Sequence, residues 1–186
     1  MKKGIRVIGI DDSPFEKFGK EERVLIVGVV QREKLVEGIL SAHIKKDGTD
    51  ATEKIFKLIK NSRFSPQIKL LLLNGIMAAG FNVIDINKLS GKLKIPIIAI
   101  TRKRPDKKKV IDALSKLKEV EGKIRTIEEV SESHKISYKN NKFFIQIAGT
   151  DFKTAEEMIK YYGIEPLRLA HLIGSGIIKG ESSGRI

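Results

Sequence analysis

The sequence predicts an α/β fold: one mixed sheet, three antiparallel strands followed by parallel strands, flanked by helices. Three observations predict it. Strand-length apolar runs fill the first quarter of the chain, and their links are too short for a helical crossover. Beyond that point, amphipathic stretches with helical spacing alternate with short runs that are apolar throughout, the pattern of strand–helix–strand units with parallel strands. Finally, 41% hydrophobic and 32% charged residues supply enough apolar chain for a core and too much for a disordered segment.

Taken in order, Ile5, Val7, Ile8 and Ile10 make a first strand ending at Asp11-Asp12, because Ser13-Pro14 forces an extended or turn conformation. Val24 to Val30 reads as a buried second strand, and Leu35 to Ile44 as a weaker third. Asp47-Gly48-Thr49-Asp50 is a turn that opens a helix from about Ala51 to Lys60, with Ile55, Phe56 and Ile59 as its buried stripe. Ile68 to Leu73 is a strand buried on both faces and broken by Asn74-Gly75; a helix is expected around Gly80 to Leu89. Pro96 opens another buried strand, Ile97 to Ile100, ending at Thr101-Arg102-Lys103, with a helix from Asp106 to Leu117 behind it. After a basic-acidic stretch, Glu119 to Glu132, comes a hairpin of Lys135 to Tyr138 and Phe143 to Ile147, turning at Lys139-Asn140-Asn141-Lys142. Asp151 caps a helix to about Tyr161, Gly163 ends it, and Pro166 starts a last helix through Ile173. One compact unit of 186 residues is the simplest organisation.

Composition excludes several classes. No apolar run approaches the ~18 residues that span a bilayer, so no membrane role is expected. The Met-Lys-Lys start does not read as a secretory signal, and the absence of cysteine excludes disulfides, thiolate zinc sites and a cysteine nucleophile; a cytoplasmic protein is expected. Lys and Arg number 36 against 23 Asp and Glu, for a net charge of +13, with the excess in both halves of the chain. A field of that sign favours polyanions; the plainer reading is a thermophile surface, where Lys and Glu rise together, but here Lys outruns the acids and nucleic-acid binding is favoured.

In a sheet of this kind ligands gather at the carboxyl ends of the parallel strands. That edge collects Asp11 and Asp12, Asn74 and Thr101-Arg102-Lys103; Asp50 joins them if the topology carries the first helix's start over the first strand. Two carboxylates converging at 11 and 50, open to water and without a His or Cys partner, suit a hard cation, Mg²⁺ or Mn²⁺, which activates water for phosphodiester cleavage. Each residue also has a plainer reading. Asp50 with Glu53 fits a capping box, Asp12-Ser13-Pro14 an Asx-type turn, Asp47-Gly48 an ordinary turn, and Asp85 a solvent or packing acid. His43, His134 and His171 sit on separate elements without ligand spacing and read as structural. Gly174 to Gly180 echoes a phosphate loop but has no strand before it. Arg102-Lys103-Arg104 with Lys107-Lys108-Lys109 either flanks the acids and holds phosphates or forms a solvated face. Phe15 and Phe18 either stack on a base or pack under their loop, and Gly180 to Ile186 is a tail or a second phosphate contact.

Four segments in order resemble the archaeal endonuclease dU family, a distant relative of endonuclease V with a ribonuclease H-like fold: Ile8 to Phe15, Asp47 to Glu53, Gly80 to Asp85, and Pro166 to His171. The resemblance spans essentially the whole chain as a single ribonuclease H-like endonuclease domain, residues 1–186. It implies a metal-dependent endonuclease of DNA repair, acting on DNA with deaminated bases, deoxyuridine above all; the sequence leaves DNA versus RNA open. By position it implies Asp11 as the first-strand metal ligand beside Asp12, Asp50 as the acid at the first helix, and Lys103 as the basic residue after the fifth strand. Phosphate and lesion contacts would come from Arg102, Arg104 and Phe15. Where endonuclease V has an aspartate after the fourth strand this chain has Asn74, so the resemblance implies a site with one charge fewer. The alternative is a non-catalytic nucleic-acid-binding protein of the same fold; a metal-dependent enzyme on a small phosphorylated molecule is a further one.

Overall fold

The computed structural model describes residues 3–17, 19–117 and 120–182; the expectations at Phe18, Glu119 and residues 183–186 lie outside them. β1 (Arg6–Asp12), β2 (Arg23–Arg32) and β3 (Leu35–Lys45) form an antiparallel meander. On its other side β1 pairs parallel with β4 (Ile68–Leu73), which pairs parallel with β7 (Ile97–Thr101). The hairpin of β8 (His134–Tyr138) and β9 (Asn141–Ala148) then adds antiparallel beyond β7, giving the order β3-β2-β1-β4-β7-β9-β8. This is the mixed sheet expected. Lys139 and Asn140, both at positive φ (45° and 63°), make its tight turn.

Alternation along β1 sends Ile8 and Ile10 to one face and Val7 to the other. The first face packs under α1 (Ala51–Lys60) and α2 (Ile86–Leu93), with Ile55, Ile59, Ile86 and Leu89 at 1% exposure or less. The second packs under α5 (Phe152–Tyr162) and α6 (Glu165–Lys179), through Ile159, Leu167 and Ala170. Leu70 and Leu72 face one layer and Leu71 and Leu73 the other, so β4 is apolar throughout.

Several expected boundaries move. No helix forms at residues 80–85. Instead β5 (Met77–Ala78) and β6 (Asn82–Val83) pair as a small hairpin, turned by Ala79 and Gly80 at φ 46° and 86°. Helical structure waits for Asp85, whose carboxylate accepts from the Lys88 N–H at 2.8 Å and caps α2. α3 (Lys107–Leu114) is capped by Asp106 and stops short of Leu117, while α4 (Glu121–Glu129) arises inside the basic-acidic stretch. The last helix passes Ile173 and ends at Lys179, so the glycines at 174 and 176 are helical and the phosphate-loop reading is overturned. Gly174 is tolerated there because a Cβ would lie 2.6 Å from the buried Ser13 hydroxyl.

Candidate functional site

β1 delivers two adjacent carboxylates to opposite faces of the sheet. Asp11 shares the α6 face with Val7 and Gly9; Asp12 shares the α1 face with Ile8 and Ile10 and accepts from the Ala79 N–H at 2.8 Å. The register that aligns Ile10 with Leu73 sets Asn74, the residue after β4, beside Asp11.

Helix α6 completes the α6 side. A Cβ at Gly9 would overlap the backbone nitrogen of Leu167, so glycine there lets the helix lie directly on β1. One helical turn on from Leu167, His171 meets Asp11, and Gly174 meets Ser13. The two elements keep step, because four helical residues and two strand residues both advance about 6 Å. Tertiary alignment thus brings together side chains 160 positions apart.

Asp11 is 4% exposed, and both its oxygens are engaged. Oδ2 lies 2.8 Å from His171 Nδ1, while Oδ1 accepts from Asn74 Nδ2 and from the Asp12 N–H, each at 3.0 Å. The hydrogen bond to Asp11, aided by the charges of both aspartates, raises the His171 pKa against the opposing effect of burial. Burial, and after it the charge of Asp11, pushes the Asp12 carboxyl up to about 6, although the Ala79 N–H pulls it down. A cavity of about 10 Å³ lies among Asp11, Asp12, Asn74, Met77 and Ala78, room for one water-sized particle.

Asp50 does not join this cluster. Its Oδ1 accepts from the Lys45 N–H at 3.0 Å and from Asn82 Nδ2 at 2.7 Å. Although it stands at the N-cap of α1 it makes no capping bond, and Glu53 pairs with Lys92 at 2.6 Å, so the capping box is absent too. Among the described residues no group of three or more His, Asp or Glu side chains could hold a metal ion. Among the described residues no hydrogen bond joins Asp50 to Asp11; Lys45 and Asn82 engage it instead. The β5–β6 hairpin supplies donors to the acids on the α1 face. Ala79 binds Asp12, the Phe81 N–H binds Asp47 at 2.8 Å, and the fully buried Asn82 binds Asp50 while accepting from Ala51.

Arg102, Lys103 and Arg104 are exposed on the loop after β7, along the same edge as Asn74, since the methyl of Thr101 lies against Gly75. No carboxylate of the described residues pairs with any of the three. Within the same basic run Lys107 is bound to Glu132 at 3.2 Å and Lys109 to Asp106 at 3.5 Å. Phe15 takes the packing alternative, half buried against the main core. His43 and His134 are exposed and apart from the cluster, but His171, expected to be structural, is a member of it. The available signal was its place beside Leu167, Ala170 and Gly174, on the buried stripe of an amphipathic helix.

Comparison with known proteins agrees with this architecture. Human ENDOV superposes with a TM-score of 0.59 at 17% identity, covering 95% of this chain and 85% of that one. Ciona intestinalis endonuclease V, solved with a 24mer DNA containing an inosine followed by a ribo-adenosine, gives 0.58 at 16% identity, covering 96% and 87%. At such identities the likeness is one of fold. A protein of unknown function from Archaeoglobus fulgidus reaches 0.82 at 33% identity, covering 93% of this chain and 98% of its own. In sequence, a UPF0215 protein of Methanosarcina acetivorans is 40% identical over 193 residues, spanning 100% of this chain and 96% of that protein. The family profile described as endonuclease dU matches residues 3–178, and the chain belongs to that family.

Proposed function

We propose that the chain is a metal-assisted endonuclease, with Mg²⁺ or Mn²⁺, that cuts DNA containing deaminated bases, deoxyuridine above all. The observation that carries this reading is the joined Asp11–Asn74–His171 cluster with Asp12 beside it, at the carboxyl edge of the parallel strands β1 and β4. Membership of the endonuclease dU family supports the reaction class.

The residues suit a hard cation. Burial, and after it the charge of Asp11, raises the Asp12 carboxyl to about 6, and a bound cation would offset both. The small cavity that Asp11, Asp12 and Asn74 help to line has the size of one ion or water. Asp11 and Asp12 would hold the ion through carboxylate oxygens; Asn74, which now donates to Asp11, offers its amide oxygen. Bound there, the ion would activate water and take up charge on the phosphate. His171 keeps Asp11 in place through Nδ1, and Nε2 is the ring nitrogen left to pass a proton to the leaving oxygen. Asp50 acts as a positioning residue, holding Asn82 and with it the hairpin that fixes Asp12. Arg102, Lys103 and Arg104 grip backbone phosphates, and mispaired uracil costs less to unstack than a paired base.

The test is incubation of uridine-containing and undamaged duplexes with Mg²⁺, using wild type and Asp11→Ala. Wild type alone cuts the uridine duplex; equal cutting by both proteins removes the assigned site. One observation favours the second reading, nucleic-acid binding without catalysis: among the described residues two carboxylates meet at the cluster, with His171 and an asparagine in place of a third acid. That reading predicts salt-sensitive binding and no product under any divalent ion.

A further inference from the structure

The chain has three tyrosines and no tryptophan. All three tyrosines, Tyr138 from the end of β8 and Tyr161 and Tyr162 from the end of α5, line one cavity of about 640 Å³. It lies at the start of β1, beyond Val7, whereas the acids stand at that strand's far end, roughly 13 Å on.

We propose that this cavity binds a nucleotide, with its base against the tyrosines and its phosphate on the lysines of the rim. The volume suits a ligand of that size. Tyr161 is 49% exposed and meets Tyr162 edge-on at 4.9 Å, which leaves an open aromatic wall for a planar ring. Gly163, at φ 76°, is required beside it, because a Cβ would lie 2.7 Å from the Tyr138 hydroxyl. Gln31, also in the lining, is 6% exposed; its amide nitrogen donates to the Glu33 carbonyl, and its buried amide oxygen has no partner among the described residues.

The rim supplies the charge. Lys3, Lys34 and Lys139 come from three separate segments, and Lys139 also stands over the Tyr138 ring at 5.4 Å. Of the two acids in the lining, Glu165 is taken by Arg168 at 2.5 Å, leaving Glu33 against three lysines. The nucleotide is either free or a unit of a strand that also reaches the acids, since α6 runs from this cavity to His171.

Because tyrosine emission in this chain arises only at this cavity, it reports occupancy directly. The full chain, without divalent ion, is titrated with deoxyuridine monophosphate, adenosine monophosphate and a short single-stranded oligothymidine. Saturable quenching by the mononucleotides supports a site for a free nucleotide, and quenching by the oligonucleotide alone supports a strand contact. By calorimetry, Tyr161→Ala and Lys139→Glu, both at exposed positions, each weaken binding about tenfold while circular dichroism stays native. No saturable change with any of the three probes, or wild-type affinity in both variants, overturns the proposal.

Discussion

Burial and the neighbouring charge of Asp11 raise the Asp12 carboxyl above its ordinary range. Its folded pKa of about 6 stands above the ordinary 3.8, so the folded state holds the proton more tightly than the unfolded state does. The linked stability is present in full below the ordinary carboxyl range and is lost as pH rises through about 6. His171 has the same sign: its contribution is complete below 6.5 and is lost as pH rises through its raised folded value. Asp12→Asn removes the charge, and its amide oxygen can still accept from Ala79. This variant is predicted to be more stable than wild type at pH 8, by on the order of 2 kcal/mol, and to lose the dependence between pH 4 and 6. Urea unfolding across that range checks it, and a variant less stable than wild type at pH 8 contradicts the cost assigned to Asp12.

At the scale of elements, the seating of α6 on β1 makes the cluster. Gly9→Ala forces the helix backbone away, with an expected loss of about 2–3 kcal/mol and a return of the His171 pKa toward its usual value. Proton NMR titration of His171 reads the second effect, and an unmoved pKa would mean that helix and strand need not touch. On the α1 face, Asn82→Ala strips partners from the Ala51 N–H, the Lys45 carbonyl and Asp50, costing about 1–3 kcal/mol in urea unfolding; a loss near zero would show that water replaces those bonds. Much of this level was legible in the sequence. The strands β1, β2, β4 and β7 and the helices α1 and α5 follow from periodicity and caps. The segment at Gly80 was not, since a left-handed pair at Ala79 and Gly80 closes a hairpin that no propensity announces. Nor was the length of α6, in which Gly174 packs closely against Ser13. For His171 the sequence offered only its place on the buried stripe of the last helix; the pairing with Asp11 comes from the docking of α6.

For the whole molecule, a mixed sheet gathers the ends of β1, β4 and β7 on one edge, and the free Arg102, Lys103 and Arg104 extend that edge beside the acids. With a net charge of +13, DNA affinity is predicted to fall steeply with salt, and each of these three residues changed to Ala lowers the log–log salt slope by about 0.9. Fluorescence anisotropy at several salt concentrations measures this, and unchanged slopes would move the DNA path elsewhere. The location of that edge was readable from the strand order, whereas the pairing of its acids was not. Asp50 was expected beside Asp11 because both stand at element ends; the hairpin between them in sequence binds Asp12 through Ala79 and Asp50 through Asn82. The most direct test of the account is calorimetric titration of Mg²⁺ at pH 8 into wild type, Asp12→Asn and Asp50→Ala. The account predicts that Asp12→Asn weakens ion binding about tenfold or more, while Asp50→Ala keeps an ion site. Loss of binding in Asp50→Ala with wild-type affinity in Asp12→Asn would contradict it.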